Sequence, residues 1–442
     1  MISREPIVKV GILERQKEIR GELNGAFALN DSVAIEGPFN VKYDEAGIAF
    51  TSEKVFKLVK QAEITCKPLE GRSFVLEDVV IGMQFHWERK ENQSFEGSLR
   101  IVRDGDGTMA AVNEIALEDY LKSVISSEMS ATAPKELLKA HAITSRSWLV
   151  AALEREQKNV GISPRRSRES ENEIIRWYDR EDHKLFDVCA DDHCQRYQGV
   201  TKIVSSAVDE AAEATRGMFL LHNNEICDAR YSKACGGLSE NFENTWEEKN
   251  VLYLTSVSDA SIQHIPLNTE IEAQKWILGS PEAYCNTTDG RILKQVLPSF
   301  DQETTDFFRW KVEYKREELE ELVKTKSGID FGTIMNLYPV ERGPSGRIIK
   351  LRIEGSKRTL TVGKELEIRR WLSKSHLYSS AFVVETENEG KGLPMRFIFR
   401  GAGWGHGVGF CQIGGAVMAT KGYKAEEIVK HYFRGALLNK LY

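Results

Sequence analysis

Residues 116–129 read ALEDYLKSVISSEM, and at this stretch the pattern of the chain changes. Before it the sequence runs in short alternating pieces: IVKVGIL from Ile7, SVAIEG from Ser32, FNVKYD from Phe39, GIAFTS from Gly47, SFVLEDVVIGM from Ser73 and SLRIVRD from Ser98. Asp-Gly pairs at 104–105 and 106–107 punctuate the end of that region, as hairpin turns do. Within 116–129 the spacing becomes helical, because Leu117, Leu121 and Val124 recur at steps of four and three. The expectation is an α+β chain. It has a β-rich N-terminal region (1–112), a mixed α/β core in two pieces (113–262 and 396–442), and an inserted module (263–395).

Working outward, a second helix runs through LLKAHAITSRSWLVAALERE, with Pro134 near its first turn, where a missing N–H costs nothing. A third helix is expected around Ser205–Arg216, with strands at 218–221 and 229–232. The charged run SPRRSRESENEIIRWYDRED, ending at Asp182, reads as a solvated loop or short helix. The inserted module carries helical patterns near Trp276 and over 316–324, and a hairpin signal at Pro344-Ser345-Gly346. A last helix is expected in KAEEIVKHYF.

Composition bounds the function. The chain has 442 residues, 41% hydrophobic and 29% charged, with a formal net charge of -6. That balance speaks against nucleic acid as a partner, since polyphosphate binding draws on basic surface. No apolar run approaches the roughly 20 residues that span a bilayer. The start, MISREPIVKVGILERQKEIRGELNG, lacks the apolar core of a secretory signal. On residues alone, the compartment stays open between cytoplasm and envelope. Seven cysteines (66, 189, 194, 227, 235, 285 and 411) are too sparse for a disulfide scaffold. Cys227 and Cys235 could bridge, or either could join Cys285.

Four segments hold side chains able to do chemistry. Glu128 continues the apolar face of Leu117, Leu121 and Val124. A carboxyl buried there could hold a proton near neutral pH and donate it; the plainer alternative is a buried Glu paired with a base such as Arg146. Asp119 falls on the opposite side, so no second carboxylate accompanies Glu128 within this helix. A lone acid suffices where the substrate brings its own nucleophile, as N-acetylmuramic acid can through its 6-hydroxyl. The second segment, His183-Lys-Leu-Phe-Asp-Val-Cys189-Ala-Asp-Asp-His193-Cys194, offers N and S donors suited to zinc. We expect His183, Cys189 and Cys194 as ligands, His193 left for substrate, and a structural role for the ion; a thiol pair that simply packs is the alternative. The third, Tyr231-Ser232-Lys-Ala-Cys235-Gly236-Gly237, lets backbone approach a ligand closely, unless it is an ordinary turn. The fourth, Gly403-Trp404-Gly405-His406-Gly407-Val408-Gly409 through Gln412, lacks the phosphate-loop spacing. Its Trp404, His406 and Gln412 offer stacking and hydrogen bonding suited to sugar.

These blocks, in this order from Leu117 to Phe433, resemble the SpoIID/LytB family of sporulation and cell-wall proteins. The resemblance rests on LEDYLKSVISSEM, APKELLKAHAITSRSW, HKLFDVCADDHCQRYQG, ARYSKACGGLSENFENTW and GAGWGHGVGFCQIGGAVMATKGYKAEEIVKHYF. It implies lytic transglycosylation of peptidoglycan glycan strands, especially strands stripped of stem peptides, and a place at the cell envelope or periplasm. It also implies Glu128 as the catalytic acid–base, and zinc on His183, Cys189 and Cys194. Arg146, Tyr231, Ser232, Gly236, Gly237 and His406 would then line the cleft. A rival within the same resemblance is a non-enzymatic glycan binder that stimulates a cell-wall amidase. A cysteine hydrolase using Cys235 or Cys411, with His406 as base, is a third reading.

Overall fold

The computed structural model describes residues 2–44, 47–53, 56–59, 63–69, 73–82, 88–105, 107–158, 167–178, 183–298, 302, 304–388 and 392–442. Strands and helices are both plentiful and the sheets are mixed, so the chain is α+β. Two compact units emerge from its contacts. One comprises Met1–Arg146, Arg180–Phe219 and Lys440–Tyr442; the other comprises Ser147–Asp179 and Leu220–Asn439.

The first unit is built on ten strands ahead of the first helix. They are β1 (Ile7–Gln16), β2 (Glu18–Leu29), β3 (Val33–Asp44), β4 (Gly47–Ser52), β5 (Phe56–Val59), β6 (Glu63–Pro68), β7 (Ser73–Ile81), β8 (Arg89–Glu96), β9 (Ser98–Arg103) and β10 (Met109–Ala116). With the short strand Val188–Cys189 they form one sheet in the order 188–189, β1, β10, β9, β6, β2, β3, β4, β5, while β7 bridges β2 and β8. The two pieces SVAIEG and FNVKYD lie in a single strand, β3. Alternation explains why β2 holds despite its charges. In EIRGELNGAFAL, Ile19, Leu23 and Phe27 face the core and the charged residues face out. Asp106 of the second turn pair lies outside the described residues, and Gly105 and Gly107 both take the left-handed conformation.

Chain reversal out of β10 leads directly into α1 (Leu117–Glu128), followed by α2 (Lys135–Lys158) and α3 (Ser206–Ala214). An aromatic stack carries the sheet core to α1. Phe74 of β7 and Phe95 of β8 lie 5.5 Å apart, Phe95 and Tyr197 5.9 Å, and Tyr197 and Tyr120 of α1 5.1 Å. The segment after His183 is anchored separately. Phe186 packs with Val102, Ala110 and Val112, and Val188–Cys189 pairs in parallel with β1.

In the second unit, the strands Ser167–Glu169, Glu173–Arg176, Thr359–Gly363, Ile348–Gly355 and Ile334–Arg342 form a five-stranded sheet in that order. This corrects the reading of the charged run as loop or short helix. Its residues 167–169 and 173–176 are strands, with Ile174 and Ile175 buried, while its residues 163–166 and 179–182 lie outside the described residues. The hairpin at Pro344-Ser345-Gly346 joins two of those strands. The helices of this unit are α4 (Glu270–Leu278), α5 (Gly290–Val296), α6 (Arg316–Ser327), α7 (Glu365–Trp371), α8 (Gln412–Thr420) and α9 (Ala425–Tyr432). Its main core gathers Trp310, Leu319, Val323, Ile353, Trp371, Phe382, Phe397 and Phe399. Among the described residues no helix is long and apolar enough to cross a membrane.

Gly11 of β1 shows how closely Phe186 is seated, since a Cβ there would lie 2.4 Å from the Phe186 ring. Gly11→Val is expected to destabilise the protein by about 1–3 kcal/mol through overpacking. An unchanged denaturant midpoint would show that Phe186 moves aside freely.

Candidate active site and metal cluster

Every residue of α1 except Asp119 and Lys122 is buried. A helix buried this thoroughly cannot leave its polar side chains to water, and most of them find a partner in the protein, Ser127 Oγ being the exception among the described residues. Residues 195–198 supply several. Tyr120 donates its hydroxyl to Gln195 Oε1 (3.1 Å), and the Gln198 N–H donates to Ser123 Oγ (3.0 Å). At the C-terminal end of the helix, the Arg196 N–H donates to Glu128 Oε1 (3.0 Å). Glu128 is 7% exposed, which leaves it a small window to a ligand. The backbone amide of Arg196 was invisible to sequence reading, because a main-chain donor has no residue signature.

The same segment carries the His/Cys cluster. One ligand atom from each of His183, Cys189, His193 and Cys194 lies within 4.8 Å of the others. His183 Nε2 is 3.4 Å from Cys194 Sγ, and His193 Nδ1 is 3.5 Å from Cys194 Sγ and 3.8 Å from Cys189 Sγ. Zn–S near 2.3 Å and Zn–N near 2.0–2.1 Å give a tetrahedron with N···S edges of about 3.6 Å. The donor set therefore fits one metal ion. His193, which the sequence reading left for substrate, is brought into the cluster as a fourth donor, although its side chain remains exposed.

Arg146 requires a correction. It is fully buried, and its guanidinium forks onto Glu118, with Nε to Oε1 at 3.0 Å and Nη2 to Oε2 at 2.5 Å. Nη1 donates to the Met218 carbonyl (3.1 Å). Glu118 also accepts from the Gly217 N–H and the Tyr442 hydroxyl. Arg146 therefore belongs to a core ion pair: it is neither the partner of Glu128 nor placed to meet a substrate. Glu118 was passed over because it sits off the apolar stripe of α1, but burial all round the helix makes the stripe a poor guide.

The remaining sequence candidates lie in the second unit. Tyr231 and Ser232 form a two-residue strand paired in parallel with Phe410–Cys411. Ser232 is buried, and its Oγ has no hydrogen-bond partner among the described residues. Gly236 and Gly237 take left-handed backbone. A Cβ at Gly236 would crowd the Gly403 backbone at 2.9 Å, and one at Gly237 would meet Trp276 at 2.7 Å. Trp404 is half-buried, stacked on Phe307 (4.6 Å) and tilted against Tyr378 (4.4 Å). Gln412 begins α8 and is buried. His406 accepts the Val408 N–H at Nδ1 (3.0 Å) and lies 4.9 Å from the Trp246 ring. Burial holds its imidazole well below the usual histidine range, with Arg230 and Arg347 pushing the same way, so the ring is neutral. Cys235 and Cys411 are 1% and 0% exposed, which removes both from consideration as nucleophiles.

A buried glutamate at a helix end thus lies beside a segment that bears two histidines and two cysteines. Residues 105–222 match the family model for stage II sporulation protein, SpoIID, and residues 240–409 match a domain of unknown function, DUF8618. An uncharacterized protein of Brachyspira hyodysenteriae is 25% identical over 414 residues, 91% of this chain and 88% of the relative. The stage II sporulation protein D of Bacillus amyloliquefaciens is 25% identical over 326 residues, 74% of each chain. That of Bacillus subtilis is 24% identical over 332 residues, 75% of this chain and 76% of the relative. The chain is thus similar to stage II sporulation protein D, with the family match confined to residues 105–222.

Two outcomes follow from this geometry. Arg146→Met strands the Glu118 carboxylate in the interior and is expected to cost about 3–5 kcal/mol, most of it recovered by adding Glu118→Leu. Denaturant melts of the single and double variants decide it, and a single variant as stable as the native chain would return Arg146 to the surface. For His406, the folded state disfavours protonation, so its contribution to stability is complete above pH 6.5 and is lost as pH falls below it. His406→Gln should flatten the stability–pH curve between 6.5 and 5, by at most about 1.4 kcal/mol per pH unit. Parallel curves for the two proteins would contradict the buried neutral ring.

Proposed function

We propose that this protein is a lytic transglycosylase of peptidoglycan that cleaves the bond between N-acetylmuramic acid and N-acetylglucosamine, acts at the cell envelope, and uses Glu128 as its acid–base group. The observation that carries this reading is the buried Glu128 carboxyl, held by the Arg196 N–H at the end of a helix whose other end is locked by a core ion pair. Glu128 would protonate the bridging oxygen as the C1–O bond of the muramic residue breaks. The 6-hydroxyl of the same sugar would attack C1 and return its proton to the carboxylate, leaving a 1,6-anhydro end. No water is consumed and no second carboxylate is required, unlike ordinary glycoside hydrolysis.

Fixing the carboxyl is how the chain's own residues would contribute. The amide of Arg196 orients one oxygen before substrate arrives, and such preorganisation lowers the cost of reaching the reactive geometry. His183, Cys189, His193 and Cys194 would hold a zinc ion. Bound zinc with four protein ligands supplies structural cross-linking of the 183–198 segment. That segment then presents the Arg196 N–H to Glu128.

Glu128→Gln should lose roughly 10²–10⁴-fold in glycan cleavage while keeping the fold, the scale expected when a general acid is removed. Mass spectrometry of products from denuded glycan strands tests this. Anhydro-muramic ends from the native protein alone support the proposal, whereas reducing ends would mean that water attacks. Glycan binding with no product from either protein would point instead to a stimulator of a cell-wall amidase.

A further inference from the structure

A second group of metal-type ligands lies inside the second unit, at residues that are far apart in sequence. Cys235 follows the short strand Tyr231–Ser232, Asp259 lies beyond the turn at Leu252–Leu254, Cys285 sits between α4 and α5, and Cys411 caps the start of α8. One ligand atom from each lies within 4.8 Å of the others. All four residues are at most 1% exposed.

The spacing is that of a single ion. Cys235 Sγ and Cys285 Sγ are 3.8 Å apart, and Zn–S bonds of 2.3 Å give a tetrahedral S···S edge of about 3.8 Å. Cys411 Sγ and Asp259 Oδ2 are 3.9 Å apart. Three thiols and one oxygen donor within this radius leave room for one ion rather than a polynuclear cluster.

The surroundings are those of a ligand set already oriented. Gly237 donates its N–H to Cys235 Sγ (3.4 Å), and Cys235 donates its own to Cys411 Sγ (3.3 Å). Amide donors to sulfur stabilise thiolate, the ligating form. The left-handed turn at Gly236-Gly237 aims the first of these donors back at the sulfur. Tyr432 of α9 donates its hydroxyl to Asp259 Oδ1 (2.5 Å), and the Cys285 N–H donates to Oδ2 (2.8 Å). Outer partners of this kind fix the angle of a ligating carboxylate.

A wholly buried aspartate must be neutralised, by a proton of its own or by a cation, because an unpaired buried charge is costly. Among the described residues no lysine or arginine forms an ion pair with Asp259. Arg309 spends its guanidinium on the carbonyls of Gly236, Trp276, Gly279 and Phe308. A disulfide between two of the thiols would leave the third thiol and that carboxyl each to keep a proton, whereas a divalent ion answers all four groups.

We propose that Cys235, Asp259, Cys285 and Cys411 bind one zinc ion in a closed, structural site, additional to the His183/Cys189/His193/Cys194 cluster. The ion joins the Gly-Gly turn to the start of α8 and, through Asp259 and Tyr432, to α9. The site stands independently of the role given to Glu128.

The first test is elemental analysis of the purified native chain, which requires no variant. Two zinc equivalents per chain are expected; a chain that holds none overturns the proposal, as does a single equivalent that Cys189→Ser/Cys194→Ser removes. Cys189→Ser/Cys194→Ser should retain one equivalent. Exchanged for cobalt, that equivalent should give tetrahedral bands with sulfur-to-cobalt charge transfer, which Cys285→Ser then abolishes. Retention of both equivalents by Cys285→Ser in the otherwise native chain would also refute the site. So would a native mass two hydrogens short that reduction restores, since it would place a disulfide there.

Discussion

A helix buried on nearly every side sets the terms for the first unit. Because α1 has almost no access to water, most of its polar side chains are met by another part of the chain. Glu118 is met by Arg146, Tyr120 by Gln195, Ser123 by the Gln198 amide and Glu128 by the Arg196 amide. Three of those four partners come from residues 195–198. The requirement to satisfy α1 is therefore also what lays this segment along it, within a few residues of the His/Cys cluster. Glu128 and the His/Cys cluster thus share one support, since the Arg196 amide that meets Glu128 is two residues from Cys194.

The Gly-rich run 403–409 answers a different constraint, that of close backbone approach. Gly403, Gly405, Gly407 and Gly409 all take left-handed backbone. A Cβ at Gly407 would fall 2.3 Å from the Arg347 guanidinium carbon, and one at Gly409 would fall 2.2 Å from the Arg230 carbonyl. Arg347 in turn donates to the carbonyls of Cys235 and Gly405, which ties the run to the Cys-Gly-Gly turn. These glycines hold a compact polar interior, and that requirement accounts for their number better than phosphate or sugar contact does.

Cysteine usage divides in the same way. All seven cysteines are free thiols: Cys66 and Cys227 are buried, and the other five stand beside other metal-type donors. The pair at 189 and 194 is close in sequence and stands beside two histidines, so its chemistry can be read from spacing. The thiols at 235, 285 and 411 share no spacing rule, and Asp259 carries no mark that separates it from any surface aspartate.

Much of the architecture is local and was therefore legible in the residues. Alternation marked β1, β4, β7 and β9; helical spacing marked α1, α2, α3 and α9; and Pro344-Ser345-Gly346 marked its hairpin. Glu128 was singled out, and His183, Cys189 and Cys194 were expected to lie together, because residue type and spacing are themselves the signal. What only the tertiary structure decided were the partners: Arg146 with Glu118 rather than with Glu128 or a substrate, His193 among the metal-type donors, Trp404 between two aromatic rings, and four buried ligands drawn from separate loops. The physical reason is that periodicity records how one segment divides between core and solvent. Which buried groups then pair depends on distances between segments far apart along the chain, and those distances exist only once the chain is folded.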